Sequence, residues 1–317
     1  MKILVADKFE EIGLNGLKEA GFDVVYNPDL KEESLKEAIQ TEQPQGLVVR
    51  STLVPAEMMH DSLKLIVRAG AGYNTIDIKA AADKGIQVAN CPGKNAAAVA
   101  ELTFGLILSL DRRIPDNVIE LRKGRWNKKE FSKAKGIKGR TLGVIGLGNI
   151  GQLVVQIAQA FGMSVIVFSR HLTPEEAEKL GVRKAQDLAE LAQSADIVAV
   201  TTALNDETRG MLNRDFFQHI KPGAYFVNTS RAEIVDQDAL LEALDNKGIR
   251  AALDVFDGEP SSPEGEYAGP LKDRADVYCT HHIGASTEQA QEAVALETVR
   301  IFVEFQKTGC APNCVNC

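Results

Sequence analysis

Short apolar runs alternate with amphipathic stretches along the chain. In the first part, apolar runs predict strands at residues 2–6, 24–26, 46–49, 65–69 and 87–89, and amphipathic stretches predict helices at 10–20 and 30–39. Strands that alternate with helices form a parallel sheet covered on both faces. The pattern therefore predicts an α/β fold for this part of the chain.

The same alternation resumes further along the chain. Apolar runs predict six strands, at residues 142–145, 165–168, 197–200, 225–228, 251–255 and 277–279. Thr173-Pro-Glu-Glu176 has the residues of a helix start, with Thr at the N-cap and Glu three positions later. Ser286-Thr-Glu-Gln289 has similar spacing and predicts a helix at 288–305, which we expect to return to the first domain.

The predicted fold is α/β with two doubly wound parallel-sheet domains. A flavodoxin-like substrate domain is predicted from residues 1–95 and 287–317, and is therefore discontinuous. A Rossmann nucleotide domain is predicted from residues 96–286. It begins with a long apolar helix at 96–110, which we expect to pack between the domains.

A glycine-rich turn follows the first predicted strand of the second domain. Its sequence is Gly146-Leu-Gly148-Asn149-Ile150-Gly151, and a helical pattern follows at once. In a dinucleotide site the first glycine permits the turn, the second lets backbone approach the pyrophosphate, and the third lets helix and strand pack closely. Glycines between a strand and a helix can also be purely structural. The next apolar strand lies at the spacing of a βαβ unit, which favours the dinucleotide site.

Composition narrows the class of partner. The net charge of −8, with 44% hydrophobic and 25% charged residues, is typical of a soluble globular protein and argues against nucleic acid as a partner. The N-terminal sequence turns acidic too early for a secretory signal, and no apolar run approaches membrane-spanning length. We therefore expect a cytoplasmic protein without membrane contact, whose five cysteines are reduced thiols.

Four ordered motifs resemble those of the D-isomer-specific 2-hydroxyacid dehydrogenases, and the resemblance covers nearly the whole chain. The motifs are the glycine turn, Asn228-Thr-Ser-Arg231-Ala-Glu-Ile-Val-Asp236, Leu253-Asp-Val-Phe-Asp-Gly-Glu259-Pro260 and His281-His282-Ile-Gly-Ala-Ser-Thr287. The resemblance implies an NAD(P)-dependent oxidoreductase that acts on a small anionic 2-hydroxy or 2-keto acid. It also implies a homodimer formed through the nucleotide domain.

The resemblance assigns three catalytic residues. Arg231 would bind the substrate carboxylate, His282 would be the acid/base, and Glu259 would be the partner of the histidine. A histidine suits proton exchange with a hydroxyl because its pKa lies near working pH, and a carboxylate orients the ring. Each residue alone could be structural, as a helix cap, a turn residue or a satisfied histidine. His281 stands where the family usually has proline, and we interpret it as a neighbour of the base.

The cofactor site implied by the resemblance extends beyond the glycine turn. It includes residues at the ends of other strands, namely Thr202, Thr229, Ser230, Asp254 and Gly284. NAD enzymes of this fold carry an acidic residue at the end of the second strand. Here that position is Ser169, followed by Arg170 and His171. Loss of the carboxylate and gain of positive charge favour NADP(H) over NAD(H). Alternatively, Arg170 points into solvent and NAD binds with fewer ribose contacts.

Two segments of the first domain, around Arg50 and Arg68, resemble the corresponding segments of the D-3-phosphoglycerate dehydrogenase branch of the family. By that resemblance Arg50, Arg68, Ala69, Gly70 and Asn95 lie near the substrate, with Arg231 and His282. A phosphate on the substrate would explain cations beyond Arg231. The alternative is that the two arginines form structural ion pairs, for example with Asp77 or Glu101. An NADPH-dependent glyoxylate/hydroxypyruvate reductase remains a second hypothesis, and a nucleotide-sensing protein like the corepressors of this fold is a third.

Two segments lie outside these motifs. Residues 111–138 are charged and hold the only tryptophan, Trp126, so they form either an arm that grips another subunit or a solvated helix with one packed Trp. The last nine residues contain Cys310, Cys314 and Cys317. We predict no metal site there, because a fourth ligand is missing, and expect a loose, thiol-bearing end.

Overall fold

The computed structural model describes residues 1–260 and 264–317. Its contacts divide the chain into two compact units. The smaller unit comprises Met1–Ala96 and Ala285–Cys317, and the larger comprises Ala97–Gly284. Across the described residues, none of the helices combines the length and apolar character needed to cross a bilayer.

Twelve strands and twelve α-helices are found in the described part of the chain. The strands are β1 Lys2–Val5, β2 Asp23–Tyr26, β3 Gly46–Val49, β4 Leu65–Arg68, β5 Gln87–Asn90, β6 Thr141–Ile145, β7 Ser164–Phe168, β8 Arg183–Lys184, β9 Ile197–Val200, β10 Tyr225–Asn228, β11 Arg250–Leu253 and β12 Val277–Cys279. The helices are α1 Glu11–Glu19, α2 Glu32–Glu42, α3 Ile78–Asp83, α4 Ala96–Arg112, α5 Ile114–Arg122, α6 Lys128–Phe131, α7 Asn149–Ala160, α8 Pro174–Lys179, α9 Leu188–Ser194, α10 Arg214–His219, α11 Gln237–Lys247 and α12 Glu288–Thr308.

The smaller unit is a five-stranded parallel sheet in the order β2-β1-β3-β4-β5. This is the flavodoxin-like order, which confirms the predicted fold. Successive residues of β1 enter different apolar layers, Ile3 on one face and Leu4 on the other. The returning helix α12 covers the first face, where Phe302 is fully buried and meets the ring of Phe22 edge-on.

The larger unit is a seven-stranded parallel sheet in the order β12-β11-β10-β9-β6-β7-β8. Strands β8-β7-β6-β9-β10-β11 lie side by side in the Rossmann order 3-2-1-4-5-6, and β12 follows β11 at the edge of the sheet. The central strand β6 has β7 on one side and β9 on the other. Ligands of open α/β sheets bind at such a reversal of strand order. The apolar pattern predicts six of these strands but not β8, because the two exposed residues of β8, Arg183 and Lys184, carry no such pattern.

Helix starts follow local side-chain chemistry. Thr173 caps α8 as predicted: its hydroxyl accepts from Glu176 N–H, and the Glu176 carboxylate accepts from Thr173 N–H. At α12 the prediction is off by one residue. Thr287, not Ser286, is the N-cap, and its hydroxyl accepts from Ala290 N–H.

Of the two alternatives for residues 111–138, the one with a packed tryptophan does not hold within the chain, because Trp126 is 78% exposed. The expectations of a loose C-terminal end and of five reduced thiols are wrong. The cysteine-containing end is not loose but pairs with β5, and Cys314 and Cys317 form a disulfide. A turn brings their Cα atoms to 5.9 Å, which is within bonding range.

Candidate active site

The turn after β6 needs glycine at two positions for steric reasons. Gly146 has a φ of +98°, and a Cβ there would collide with the backbone of Thr202. A Cβ on Gly151 would collide with the carbonyl oxygen of Gly146. The Thr201 hydroxyl donates to the same carbonyl at 2.8 Å and ties the turn to the end of β9. Thr201 is not among the site residues predicted from the sequence, because nothing local marks its contact with the turn.

Gly148 has a different environment. It is the N-cap of α7, and within 4 Å of where its Cβ would stand there is no heavy atom of the described chain beyond its immediate neighbours. The helix then begins at Asn149 and Ile150, with no acidic residue in its first turn. Free N–H groups at a helix N-terminus attract phosphate, and a carboxylate there would repel it. The turn therefore fits the pyrophosphate of a dinucleotide.

The end of β7 lacks a carboxylate, as the sequence shows. Ser169 is half-buried, while Arg170 and His171 are exposed. The guanidinium of Arg170 forms an ion pair with Glu207, from the segment that follows β9. Arg170 is thus close to the turn-bearing edge of the sheet, but its charge is partly matched by a carboxylate.

Buried hydroxyls connect the loops after β9 and β10. The Ser230 hydroxyl donates to the carbonyl of Thr202, and the hydroxyls of Thr229 and Thr103 lie 2.8 Å apart. The side chain of Asn228, 1% exposed, accepts from Ser230 N–H and donates to the carbonyl of Arg231. These bonds fix the backbone that carries Arg231.

Asp254 follows β11 and is 1% exposed. One carboxylate oxygen accepts from the Thr280 hydroxyl at 2.6 Å and from Ile283 N–H at 2.9 Å, and the other accepts from Gly284 N–H at 2.8 Å. These donors lie on both sides of His282 in the chain. In this structure Asp254 therefore fixes the loop that carries the histidine.

Glu259 and His282 are brought together by these loops. The Nδ1 atom of His282 lies 2.9 Å from one Glu259 oxygen, and the other oxygen accepts from Phe256 N–H at 2.8 Å. Burial favours a higher pKa for the Glu259 carboxyl, but the hydrogen bonds and the charge of Arg231 outweigh it, and the pKa is lowered. His282 has a φ of +52°, a left-handed conformation that is uncommon for residues other than glycine.

Arg231 is close enough for its charge to act on Glu259. Its side chain donates from Nη1 to the carbonyl of Ser230 at 2.7 Å. Burial lowers the pKa of the guanidinium, and nearby Glu233 and Glu259 partly offset this effect. The guanidinium is half-buried, and within residues 1–260 and 264–317 its one side-chain hydrogen bond is that to Ser230, so further donors remain for a planar carboxylate.

The adjacent histidine differs from His282. His281 is exposed, and no hydrogen bond of its ring is found within residues 1–260 and 264–317. The contact with Glu259 therefore distinguishes His282 from His281, which the sequence alone does not do. Among the same described residues, no group of three or more His, Cys, Asp or Glu side chains could hold a metal ion.

In the smaller unit, Asp7 organises the loop after β3. Its carboxylate accepts from the backbone N–H groups of Arg50, Ser51 and Thr52, the first at 2.6 Å, and from two hydroxyls of this loop. Burial lowers the pKa of Arg50, and Asp7 and Glu10 partly offset this effect. No ion pair of the Arg50 guanidinium is found in the described part of this unit. Asp7 is not among the site residues predicted from the sequence.

The loops after β4 and β5 are also joined within the smaller unit. The Asn90 side chain donates to the carbonyl of Ala71, and Cys91 N–H donates to the carbonyl of Gly70. A Cβ on Gly70 would collide with the guanidinium of Arg68, so the glycine makes room for it. Ala69 is buried beside this turn, and Asn95 is half-buried just before α4.

Comparisons with known proteins agree with this geometry. Residues 104–284 match the family model described as "D-isomer specific 2-hydroxyacid dehydrogenase, NAD binding domain". The chain is 40% identical over 322 aligned residues to a D-3-phosphoglycerate dehydrogenase of Methanocaldococcus jannaschii. The alignment covers 100% of this chain and 59% of that protein. The chain thus spans about three fifths of this curated relative's length.

Solved structures give the same result for the fold. A cofactor(NAD+)-bound 3-phosphoglycerate dehydrogenase of Entamoeba histolytica superposes with a TM-score of 0.83 at 26% identity, and covers 100% of this chain and 99% of its own. An acyclic imino acid reductase in complex with NADPH and D-Arg superposes with a TM-score of 0.85 at 27% identity, and covers 99% of this chain and 100% of its own.

Proposed function

The chain belongs to the D-isomer specific 2-hydroxyacid dehydrogenase family, and on that premise we propose that it interconverts a D-2-hydroxy acid and the 2-keto acid with NAD(P). We propose D-3-phosphoglycerate and 3-phosphohydroxypyruvate as the substrate pair, in keeping with the relative from M. jannaschii. The observation that carries the proposal is the Glu259–His282 pair with the Arg231 charge beside it.

In the proposed mechanism His282 exchanges the hydroxyl proton. Its Nδ1 faces Glu259, which leaves Nε2 for the substrate oxygen. Glu259 is ionised at neutral pH because its pKa is lowered, so it orients the ring and stabilises the imidazolium. Arg231 binds the substrate carboxylate through its planar fork and polarises the adjacent C2 carbonyl in the reductive direction.

The remaining substrate contacts are assigned to the smaller unit. Arg50 and Arg68 would bind the phosphate, with the backbone of Ala69 and Gly70 and the side chain of Asn95 completing the site. Support comes from the half-buried Arg50 guanidinium, whose pKa is lowered by partial desolvation, and from its loop, which Asp7 holds in place.

The nucleotide would be held along the carboxyl edge of the larger sheet. Its nicotinamide, when bound, supplies the hydride acceptor or donor. The N–H groups of Asn149, Ile150 and Gly151, in the first turn of α7, would bind the pyrophosphate. Thr202, Thr229, Ser230, Asp254 and Gly284 would lie along the rest of the dinucleotide.

A matrix of NADH and NADPH against 3-phosphohydroxypyruvate, hydroxypyruvate and glyoxylate tests the activity. We expect reduction of the phosphorylated substrate at the highest kcat/KM. His282→Asn should lower kcat by about 10²–10⁴-fold, the usual range for a lost acid/base group. His281→Asn is the matched control and should leave kcat unchanged. Nucleotide binding without turnover of any of the three substrates would refute the enzyme and favour a nucleotide sensor.

Arg50→Gln tests the phosphate contact. Removing this charge should raise KM for 3-phosphohydroxypyruvate by at least tenfold, because charge-assisted bonds to phosphate are strong. Hydroxypyruvate and glyoxylate lack the phosphate, so their KM values should hardly change. Equal losses on all three substrates would show that Arg50 does not recognise phosphate.

We also propose that NADP(H) is preferred over NAD(H). Support comes from Ser169 in the acidic position and from Arg170 and His171 beside it, although Glu207 competes with a phosphate for Arg170. Ser169→Asp should shift the ratio of the two dissociation constants towards NADH, and Glu207→Gln should shift it towards NADPH. A ratio that neither variant changes would argue against this assignment.

We propose a homodimer formed by residues 111–138. Support comes from an unusual run of exposed apolar side chains on and after α5, namely Ile114, Val118, Ile119, Leu121 and Trp126. Ile119→Lys should convert the dimer into a monomer in sedimentation experiments. Leu296→Lys, at an exposed leucine of α12, is the control and should leave the dimer intact. A wild-type monomer would disprove the proposal.

A further inference from the structure

The segment 309–317 covers the free edge of β5. Both outward-facing groups of Val88 are bonded to it, because Val315 N–H donates to the Val88 carbonyl at 2.8 Å and Val88 N–H donates to the Asn316 side chain at 2.8 Å. The Asn316 amide also donates to the carbonyl of Ile86 at 2.9 Å. We call residues 309–317 the strap segment. It closes an edge strand that would otherwise offer unpaired backbone groups.

The residues that make these contacts lie within one disulfide loop. Cys314 and Cys317 are bonded, and Val315 and Asn316 are the two residues between them. The Cys317 residue is exposed and Cys314 is half-buried. Cys317 is therefore the more accessible of the two cysteines for a thiol from solution.

Two of the free thiols, those of the buried Cys91 and the exposed Cys279, are poor candidates for such chemistry. Burial raises the pKa of the Cys91 thiol, so little thiolate forms at neutral pH. Desolvation, with a smaller contribution from the Glu259 charge, raises the pKa of Cys279 to about 11. The strap segment differs from both sites in already holding a disulfide.

We propose that Cys314 and Cys317 form a reversible thiol–disulfide exchange site for a low-molecular-weight thiol, and that the disulfide holds the strap segment on β5. In the reductive direction a thiolate such as glutathione attacks the Cys317 sulfur and releases Cys314 as a thiolate, which takes a proton. A second glutathione attacks the mixed disulfide, frees Cys317 and leaves as glutathione disulfide. Two electrons pass from two glutathiones to the protein disulfide.

The size of the effect follows from the closed loop. A disulfide that encloses four residues lowers the entropy of the released segment by an amount that corresponds to about a twentyfold change in its population. Reduction should therefore make detachment of the strap segment about twenty times more frequent, while the rest of the unit stays folded.

Detachment of the strap segment would also break its contacts with the loop after β5. The Asn313 side chain donates to the carbonyl of Asn90 and to the Glu297 carboxylate, at 3.3 and 2.9 Å. Glu297 also pairs with Lys94, next to Asn95. If the proposed function holds, release of these contacts should raise KM for the keto acid without changing kcat, because Asn95 is assigned to substrate binding.

Hydrogen exchange in glutathione buffers of defined ratio tests the site without substrate. Thiol titration after denaturation should count three thiols in the oxidised chain, since Cys91, Cys279 and Cys310 are free. It should count five after equilibration with reduced glutathione. Exchange of the Val88 amide should then accelerate about twentyfold, while the Ile66 amide of β4 stays protected.

Variants separate the disulfide from other effects of the reductant. The double variant Cys314→Ser/Cys317→Ser should exchange rapidly at Val88 in either buffer, and Cys310→Ser should behave like the wild type. A count that stays at three in reduced glutathione would overturn the exchange site. Five thiols without faster exchange at Val88, or equal acceleration at Ile66, would overturn the hold on β5. These results do not depend on turnover, so they can be distinguished from a failure of the proposed function.

Discussion

Asp254 in the larger unit and Asp7 in the smaller unit solve the same structural problem in different surroundings. Each follows the carboxyl end of a parallel strand and accepts hydrogen bonds from a neighbouring loop. The Asp254 loop carries His282, and the Asp7 loop carries Arg50. Asp254 is 1% exposed, whereas Asp7 is half-buried.

The comparison separates positioning from chemistry. In both units the carboxylate that fixes a loop is a different residue from the side chain proposed to meet the substrate. Water can replace a lost acceptor at the half-buried Asp7, but not at the buried Asp254. The two loops should therefore differ in how much stability depends on one carboxylate.

The largest expected effect is that of Asp254→Ala. The change leaves the Thr280 hydroxyl and the N–H groups of Ile283 and Gly284 without their acceptor in a buried site. The free energy of unfolding should fall by about 3–5 kcal/mol, at about 1–3 kcal/mol for each unsatisfied group with partial relaxation. Urea unfolding monitored by circular dichroism measures it.

Asp257→Ala is the control for this prediction. Asp257 is exposed as a residue, but partial desolvation of its carboxyl, together with the charges of Glu233, Asp238, Asp236 and Glu259, raises its pKa. Its ionised form is therefore disfavoured in the folded chain, and its removal should leave stability equal or slightly higher. A loss at Asp257 as large as that at Asp254 would refute the special role of the buried carboxylate.

Glu297 extends the comparison to a buried acid of the smaller unit that forms ion pairs with Arg300 and Lys94. A hydrogen bond from Arg300, with others from Asn313 and Lys94, lowers its pKa from 4.5 to about 2 against the effect of burial. Because the pKa of Glu297 is lower in the folded chain, its ionised form stabilises the fold at pH values above the ordinary pKa of about 4.5. This stability is lost as the pH falls from about 4.5 towards 2. Glu297→Gln should therefore cost about 3 kcal/mol at pH 6 and progressively less towards pH 2.

Denaturant unfolding at several pH values between 6 and 2 measures this dependence. Glu292→Gln, at an exposed acid of the same helix α12, is the matched control and should show no such trend. A Glu297→Gln cost that stays constant with pH would show that packing, and not ionisation, explains its contribution.

Local rules predicted the features that depend on nearby sequence. The glycine turn at Gly146 and the capping box at Thr173 follow from backbone geometry and from side chains three residues apart. Strand β8 could not be found this way, because its two exposed residues owe their pairing to β7. The contact of Asp7 with residues 50–52 spans more than forty positions, and no local signal marks it.

The candidate site shows the same division. Resemblance to a family drew attention to Glu259 and His282, and the structure brings them within 2.9 Å. It assigned Asp254 to the cofactor, whereas its carboxylate oxygens accept from the histidine loop in this structure. The Cys314–Cys317 bond ran against an expectation drawn from the compartment, because local chain geometry decides whether two sulfurs meet.

Asp7→Ala should have a smaller effect than Asp254→Ala. Five hydrogen-bond donors of the loop lose their acceptor, but the site is half-buried, so water can take the place of the carboxylate. The free energy of unfolding should fall by about 1.5 kcal/mol. Urea unfolding of the two alanine variants under one set of conditions compares them directly. A loss at Asp7 equal to that at Asp254 would contradict the link between burial and cost.

Thr280→Val should have the smallest effect. It removes one of the three hydrogen bonds to Asp254 at nearly constant volume, and leaves the two backbone donors in place. We expect a loss of about 1 kcal/mol in unfolding free energy, the usual net value of one buried hydrogen bond. In the double variant with Asp254→Ala the threonine has no partner to lose, so the second change should cost almost nothing. Full additivity of the two losses would show that the Thr280 hydroxyl acts independently of Asp254, and the shared network would then be wrong.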